Sequence, residues 1–226
     1  MSHKYEVEIK SLLGSREKAA IFRTKLKDRF PDVKLLSKGK QLNHYFHAPE
    51  EMNKLSGVIR PLISNKKIVS FDKIITEGKK VSIRTRDADG LVLFILKASV
   101  GDDSSSNGVK RIEFEEVVPM KLDELDKLLI EVGCSYQAKW SREREEYEVG
   151  GTHICLDKNA GYGYLAEFEK VVDDGESLDK VKEEILDFMK KCEVVELDQD
   201  RLERMFAYYN SHWSEYYGTE KTFIID

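Results

Sequence analysis

A short segment near the N-terminus alternates charged and apolar residues, since residues 5–10 read YEVEIK. Side chains of a β-strand point to its two faces in turn, so Glu6, Glu8 and Lys10 share one face. Hard divalent cations prefer oxygen ligands, and a metal that also contacts phosphates is usually held by one or two protein carboxylates. The segment therefore predicts a metal site at Glu6 and Glu8, with Lys10 for a phosphate. A solvated strand face gives the same alternation, so the prediction depends on the other strands.

Later segments repeat this arrangement of charges. Segments 81–86, 111–115 and 165–169 alternate charged and apolar residues, which again places the charged side chains of each segment on one face. The segment 142–145 alternates arginine with glutamate. The residues of the shared charged face are Arg84, Arg86, Lys97, Arg111, Glu113, Glu115, Arg142, Arg144, Asp157, Glu167 and Glu169. Charges are costly to bury unless they pair or bind ligands, so this face predicts a polar tunnel for a metal and an anion.

The elements that must position these residues are strands with a few helices. Strands are predicted at 5–10, 35–46, 81–87, 91–99, 109–118, 140–149, 152–156 and 162–172, and helices at 15–30, 122–132, from 177 and at 199–209. This order favours the α+β class with a mostly antiparallel sheet of about eight strands, which makes a barrel if it closes. We expect a single domain over residues 1–226, with an insertion or elaborated loop at 48–79 and a helical tail at 199–226.

Composition and charge restrict the class of protein. The chain has 226 residues, of which 41% are hydrophobic and 35% charged, so it can bury a core yet is unusually rich in charge. A net charge of -5 argues against a nucleic-acid partner. Three cysteines without CxxC spacing indicate neither a disulfide framework nor a zinc site, and five histidines show no metal-ligand spacing. The chain has no apolar run of signal-peptide or membrane-span length, so we expect a soluble, cytoplasmic protein.

Together these motifs resemble the CYTH superfamily, the triphosphate tunnel metalloenzymes, which includes class IV adenylyl cyclases, thiamine triphosphatases and inorganic tripolyphosphatases. The N-terminal Glu-x-Glu-x-Lys of that family is similar to Glu6, Glu8 and Lys10. The further matches are Arg84 with Arg86, Lys97, Arg111 with Glu113, Arg142 and Arg144 before Tyr147, Asp157, and Glu167 with Glu169. The chain departs from the family at Arg142, where lysine is usual, and in the longer segment 48–79.

The resemblance implies a fold, a metal and a substrate. It implies an eight-stranded closed β-barrel with flanking helices, and a small-molecule triphosphate bound in its tunnel. Mg²⁺ or Mn²⁺ would bind Glu6, Glu8, Glu113, Asp157, Glu167 and Glu169. The phosphates would bind Lys10, Arg84, Arg86, Lys97, Arg111, Arg142 and Arg144, with Glu6, Glu8, Lys10 and Arg84 as the catalytic residues.

The reaction stays open between alternatives. Metal-dependent hydrolysis of a triphosphate is favoured, because the full pair of Glu167 and Glu169 resembles the hydrolase members. A class IV adenylyl cyclase, which converts ATP to cyclic AMP and pyrophosphate, would use the same metal-binding and phosphate-binding residues. A non-catalytic triphosphate-binding module is a further alternative. An ordinary barrel with a solvated outer face is the simplest alternative, and it is our interpretation of Glu143 and Glu145. The aromatic residues of the tail fit either internal packing or a homodimer surface.

Overall fold

The computed structural model describes residues 4–99, 111–173 and 177–225, without the side chains of residues 4–6, 99, 111, 112 and 173. These residues form eight β-strands and six α-helices, which confirms the predicted α+β class. In chain order the elements are β1 (Lys4–Gly14), α1 (Arg16–Arg29), β2 (Lys34–His47), α2 (Met52–Ile59), α3 (Ile68–Glu77), β3 (Lys79–Ala88), β4 (Leu91–Ser99), β5 (Arg111–Val117), α4 (Leu122–Glu131), β6 (Ser135–Val149), β7 (Thr152–Asn159), β8 (Gly163–Asp173), α5 (Leu178–Lys191) and α6 (Gln199–Tyr216).

The strands form a sheet in the order β1-β8-β7-β6-β2-β3-β4-β5, and they run antiparallel. Among the described residues no strand pairing joins β5 to β1, so hydrogen bonds do not close the sheet. The described chain divides into two compact units. The first unit comprises residues 4–40, 141–173 and 177–225, and the second comprises residues 41–99 and 111–140.

In the first unit, β1, β8, β7 and β6 present an apolar face to two amphipathic helices. Side chains such as Ile9, Leu156 and Phe168 alternate with the charged ones and are buried. Phe22 of α1 and Ile185 of α5 belong to the same core cluster. Full burial of one such side chain stabilises a fold by ~1.5–3 kcal/mol. The helices therefore cover the apolar face of the sheet, and the charged residues lie on the other face.

Gly163, at the start of β8, allows a close approach to the end of β1. A Cβ atom at this position would lie 2.1 Å from the carbonyl oxygen of Gly14, and the φ angle of Gly163 is +75°. Only glycine accepts both conditions without strain. The approach is part of the register in which Glu8 lies opposite Glu169 and Lys10 lies opposite Glu167.

The aromatic C-terminal tail packs within the first unit. Asp198 caps α6 by accepting a hydrogen bond from the backbone N–H of Arg201. Tyr209 of this helix is fully buried, and its ring lies so close to Gly161 that a Cβ atom there would be 2.6 Å from the ring. This packing accounts for part of the tail's aromatic content.

In the second unit, residues 41–47 of β2 and strands β3, β4 and β5 pack under α2, α3 and α4. The segment 48–79 is helical, with α2, α3 and short 3-10 turns at Arg60–Leu62 and Asn65–Lys67. Its buried side chains join the core of this unit, and they include Leu55, Ile59, Phe71 and Ile74. The sequence did not reveal these helices, because they are short, Gly57 lies within α2, and Pro49, Pro61 and Gly78 lie close to their ends.

The cysteines and the hydropathy of the helices complete the description of the fold. The three cysteines, Cys134, Cys155 and Cys192, are buried free thiols, as expected from the absence of a disulfide pattern. None of the helices formed by the described residues is both long and apolar enough to cross a membrane.

Candidate functional site

The charged face of the first unit brings together seven predicted site residues. Strand alternation puts them on the face opposite to the one that packs under α1 and α5. The seven are Glu8 and Lys10 of β1, Arg142 and Arg144 of β6, Asp157 of β7, and Glu167 and Glu169 of β8. The registers of neighbouring strands place carboxylates towards one end of this face and the two arginines towards the other.

The carboxylate end combines two opposed pairs across β1 and β8. Glu8 lies opposite Glu169, and Lys10 lies opposite Glu167. Lys10 Nζ is 2.5 Å from Glu8 Oε1 and 3.6 Å from Glu167 Oε1. Burial opposes the charge of Lys10, but the carboxylates of Glu167 and Glu8 outweigh it and raise the pKa of Lys10. Burial also opposes the charge of Glu167, yet Lys10 and Arg144 hold the pKa of Glu167 below its usual range.

The arginine end is organised around Asp157, whose side chain is fully buried. Arg144 donates from Nε to Oδ1 of Asp157 over 2.7 Å and from Nη2 to Oδ2 over 2.6 Å. Arg142 Nη1 donates to the same Oδ2 over 2.9 Å, and Arg144 Nη2 also reaches Glu167 Oε2 at 2.7 Å. Burial opposes the charge on Arg144, but Asp157 and Glu167 outweigh it and raise the pKa of Arg144. Both oxygens of Asp157 thus hold guanidinium groups in place.

The second unit carries a charged face of its own on β3, β4 and β5. The guanidinium of Arg84 lies over the ring of Tyr45, with Cζ 4.3 Å from the ring centre, and its buried Nε makes no hydrogen bond with any described residue. Arg86 Nε donates to Asn43 Oδ1 over 2.8 Å. An unsatisfied buried donor costs about 1–3 kcal/mol, so the Nε of Arg84 is suited to an acceptor from outside the chain.

The remaining predicted residues of the second unit are ion-paired or lie outside the described side chains. Lys97 Nζ lies 2.9 Å from Glu113 Oε2, across the β4 and β5 register. The side chain of Arg111, like that of Glu6 in the first unit, lies outside the described part of the structure. In the backbone register, Glu6 lies opposite Val171 and Arg111 lies opposite Ser99.

Glu145 differs from the solvated residue that the sequence suggested. It lies on the helix-covered face of β6, is 8% exposed, and accepts hydrogen bonds from Arg23 Nε and from the Tyr147 hydroxyl, each over 2.7 Å. Lys38 Nζ lies 2.9 Å from its other oxygen. Burial opposes the charge, but Arg23, Tyr147 and Lys38 lower the pKa of Glu145 to about 2. Glu145, Arg23 and Lys38 line a cavity of about 650 Å³ in the first unit.

A second group that sequence reasoning missed lies on the charged face of the first unit. Glu146, His153 and Cys155 bring three metal-ligating atoms within 4.8 Å of one another. The sequence showed no metal-ligand spacing, because Glu146 comes from β6 and the other two residues come from β7. The shared parity of His153, Cys155 and Asp157 was the one sequence signal that could have placed them on this face.

Comparison with protein families decides the classification. The profile of the CYTH domain matches residues 4–201, which is most of the chain. This chain belongs to the CYTH family. CYTH members are typically metal-dependent enzymes that act on triphosphates. Among proteins with curated descriptions, none matches this CYTH chain.

Solved structures share the CYTH fold at low sequence identity. The PH1819 protein of Pyrococcus horikoshii OT3 is 18% identical, with a TM-score of 0.60 over 90% of this chain and 99% of that one. A candidate adenylate cyclase of Vibrio parahaemolyticus is 16% identical, with a TM-score of 0.57 over 90% and 98%. HpAC1 of Hippeastrum, a candidate adenylyl cyclase described as having a dominant triphosphatase activity, is 16% identical, with a TM-score of 0.50 over 92% and 96%.

The residues of the CYTH chain fit a hard divalent cation at the carboxylate end of the first unit. Glu8 and Glu169 offer oxygen ligands from directly opposed strand positions. Like charges in such positions destabilise a sheet, and a divalent cation would relieve that repulsion. One or two carboxylates are enough for Mg²⁺, because phosphates and water supply its other ligands. Asp157 fits the metal less well, since Arg142 and Arg144 already engage both of its oxygens.

Proposed function

We propose that this CYTH protein hydrolyses the terminal phosphoanhydride bond of a triphosphate, with Mg²⁺ or Mn²⁺ as the cofactor. The observation that carries the proposal is the order of charges along one face of the first unit. The opposed carboxylates of Glu8 and Glu169 come first, Lys10 and Glu167 follow, and Arg144 lies beyond them. Such an order suits a metal at one end and a chain of phosphates that extends away from it.

Each residue of this face has a role in binding or charge stabilisation. We assign Glu8, Glu167 and Glu169 to the metal, which would supply Lewis-acid polarisation of the phosphate oxygens. Lys10 would bind a phosphate oxygen as a point charge, and Arg144 would use its planar fork. Asp157 fixes the orientation of Arg142 and Arg144. Phosphoryl transfer depends mainly on positioning and charge stabilisation, so no covalent protein nucleophile is required.

The bond changes balance without any further reactant. The oxygen of water forms a bond to the terminal phosphorus, and the bond from that phosphorus to the bridging oxygen breaks. The proton of water passes to solvent, and tripolyphosphate yields orthophosphate and pyrophosphate. Lys10 and the arginines compensate the negative charge on the phosphate oxygens throughout.

The other predicted residues enter the proposal as further contacts. The resemblance to the family adds four proposed phosphate contacts, which are Arg84, Arg86, Lys97 and Arg111. Of these, Arg84 is also a proposed catalytic residue. The resemblance likewise adds three proposed metal ligands, which are Glu6, Glu113 and Asp157. Among them, Arg84 has the strongest support, because its buried Nε lacks an acceptor among the described residues. The arrangement of hydrogen bonds favours Asp157 as a residue that positions arginines.

Cyclisation of ATP is the second candidate, because two of the structural neighbours carry the name of candidate adenylyl cyclases. The triphosphatase activity described for HpAC1 supports hydrolysis as the first candidate. From ATP, the two reactions release different products: ADP and orthophosphate in hydrolysis, and pyrophosphate with cyclic AMP in cyclisation. We also propose a cytoplasmic location, no nucleic-acid partner and a homodimer, each of which is a prediction from the sequence.

A panel of substrates tests the proposal. Purified protein is incubated with tripolyphosphate, thiamine triphosphate or ATP, with Mg²⁺, Mn²⁺ or a chelator, and orthophosphate, pyrophosphate and cyclic AMP are measured. We expect metal-dependent release of orthophosphate from at least one substrate, and a loss of most of this rate in Glu8→Gln. The exposed Glu183→Gln of α5 is the matched control. Pyrophosphate and cyclic AMP as the sole products of ATP would overturn hydrolysis, and binding of tripolyphosphate without any turnover would overturn the enzyme assignment.

A further inference from the structure

A compact set of sulfur, nitrogen and oxygen donors lies on the β6–β7 hairpin of the first unit. Glu146 of β6 is the direct register partner of Cys155 of β7, and His153 precedes Cys155 by two residues on the same face. The three ligating atoms lie within 4.8 Å of one another, and Cys155 Sγ is 3.8 Å from His153 Nδ1. The thiol of Cys155 is buried, whereas Glu146 and His153 are partly exposed, so an ion can enter from solvent.

The chemistry of this donor set differs from that of the carboxylate end. Mg²⁺ and Mn²⁺ favour oxygen ligands, whereas thiolate and imidazole favour zinc and related borderline-soft ions. In a tetrahedral zinc site with usual bond lengths, the sulfur and nitrogen ligands are separated by about 3.6 Å. The observed separation of 3.8 Å requires almost no movement of the two side chains. Three protein ligands leave a fourth position for water or another ligand.

The surroundings of the three donors support a prearranged site. Ser37 Oγ donates a hydrogen bond to Glu146 Oε2 over 2.8 Å, which leaves Glu146 Oε1 for an ion and restricts the carboxylate. The donors stand on paired strands, which hold side chains more firmly than loops do. Cys155 is the register partner of Glu167, and His153 is the register partner of Glu169, so an ion here would lie beside the proposed magnesium carboxylates.

We infer that Glu146, His153 and Cys155 form a binding site for a zinc-class divalent cation, separate from the hard metal site, and that its occupation suppresses the proposed triphosphatase reaction. On binding, the S–H bond of Cys155 breaks, a bond from sulfur to the ion forms, and the proton passes to solvent. Suppression follows because the ion adds positive charge beside Glu167 and Glu169 and competes for their oxygens. The suppression rests on the proposed function, whereas the binding does not.

Binding is tested without any activity assay. The full chain, in excess Mg²⁺ to fill the hard site, is titrated with Zn²⁺ by calorimetry and with Co²⁺ by absorption spectroscopy. We expect one equivalent of either ion, and a thiolate-to-cobalt charge-transfer band. Cys155→Ser should abolish that band, and both Cys155→Ser and the half-buried His153→Ala should lower the affinity for Zn²⁺ by about 10–100-fold. Cys192→Ala, which removes a buried thiol in the same unit, is the matched control and should retain the band.

The proposed suppression of hydrolysis is tested by measuring how Zn²⁺ lowers the rate of each protein, relative to the rate of the same protein without zinc. In wild type, Zn²⁺ should inhibit metal-dependent hydrolysis with a midpoint that matches its dissociation constant, and Cys155→Ser should shift that midpoint by the same factor as the affinity. Binding of Co²⁺ without a thiolate band, or unchanged Zn²⁺ affinity in both variants, would overturn the site. Tight binding without inhibition would overturn the suppression alone. A protein that binds zinc but turns over no triphosphate would refute the proposed function and leave the metal site standing.

Discussion

Arg144 and Asp157 form a two-point contact on neighbouring strands, with Nε to Oδ1 at 2.7 Å and Nη2 to Oδ2 at 2.6 Å. The planar fork of the guanidinium matches the two oxygens of the carboxylate, so the contact fixes the orientation of the arginine. Arg142 shares one of these oxygens. One buried carboxylate therefore holds two cations of the charged face in place.

Removal of the Asp157 charge should destabilise the fold. In Asp157→Asn, two largely buried guanidinium groups lose a fully buried counter-charge, and we expect the free energy of unfolding to fall by about 3 kcal/mol. Urea denaturation measures this change. The exposed Asp187→Asn of α5 is the control, and it should change the free energy by less than about 0.5 kcal/mol. Equal effects of the two substitutions would contradict the assigned role of Asp157.

Substitution of Arg84 should weaken substrate binding. In Arg84→Lys the charge remains, but the buried Nε donor that lacks an acceptor among the described residues is lost. We expect KM for the best triphosphate substrate to rise by about 10-fold, which corresponds to one charge-assisted hydrogen bond. Steady-state kinetics measures the change, with the exposed Arg60→Lys of the second unit as control. An unchanged KM would remove Arg84 from the set of phosphate contacts.

Neutralisation of the opposed carboxylates should change the metal requirement. Glu8 and Glu169 each offer one oxygen ligand, so Glu8→Gln and Glu169→Gln should each raise the Mg²⁺ concentration for half-maximal rate by about 10-fold or more. Rates measured over a series of Mg²⁺ concentrations give this value. Glu183→Gln should follow the wild-type curve. If Glu8→Gln or Glu169→Gln also follows the wild-type curve, the substituted residue is not a metal ligand.

The stability contributed by Glu145 should depend on pH. Its folded pKa of about 2 lies below the usual 4.5, so its contribution is complete above about pH 4.5 and is lost as the pH falls towards 2. The difference in unfolding free energy between wild type and Glu145→Gln should be about 3 kcal/mol at pH 7 and should shrink through that window. Denaturation curves at several pH values test this.

The control for Glu145 lies on the same strand. Glu143 is half exposed and ion-paired with Lys158 at 3.6 Å, so Glu143→Gln should cost less than about 1 kcal/mol at any of these pH values. A pH-independent difference for Glu145→Gln would show that its charge does not stabilise the fold.

Much of the candidate site was predictable because strand parity is local. Covalent geometry alone sends alternate side chains to opposite faces, which is why Glu8, Lys10, Arg144 and Glu167 were placed on one face from the sequence. The α+β class and most strand and helix positions follow from the same local periodicity. The helices of segment 48–79 were not predicted, because each is short, with only two buried residues, and prolines and glycines lie in or beside them.

The sequence by itself determined which residues share a strand face, and its resemblance to the CYTH family supplied the metal-binding and phosphate-binding roles proposed for them. Only the tertiary structure decided which side chains from distant segments contact one another. Glu145 is ion-paired in its buried position because Arg23, at a sequence separation of 122, reaches it from α1. Glu146 meets His153 and Cys155 because β6 and β7 pair in one particular register. Register and helix packing depend on contacts between residues distant in sequence, which no local period encodes.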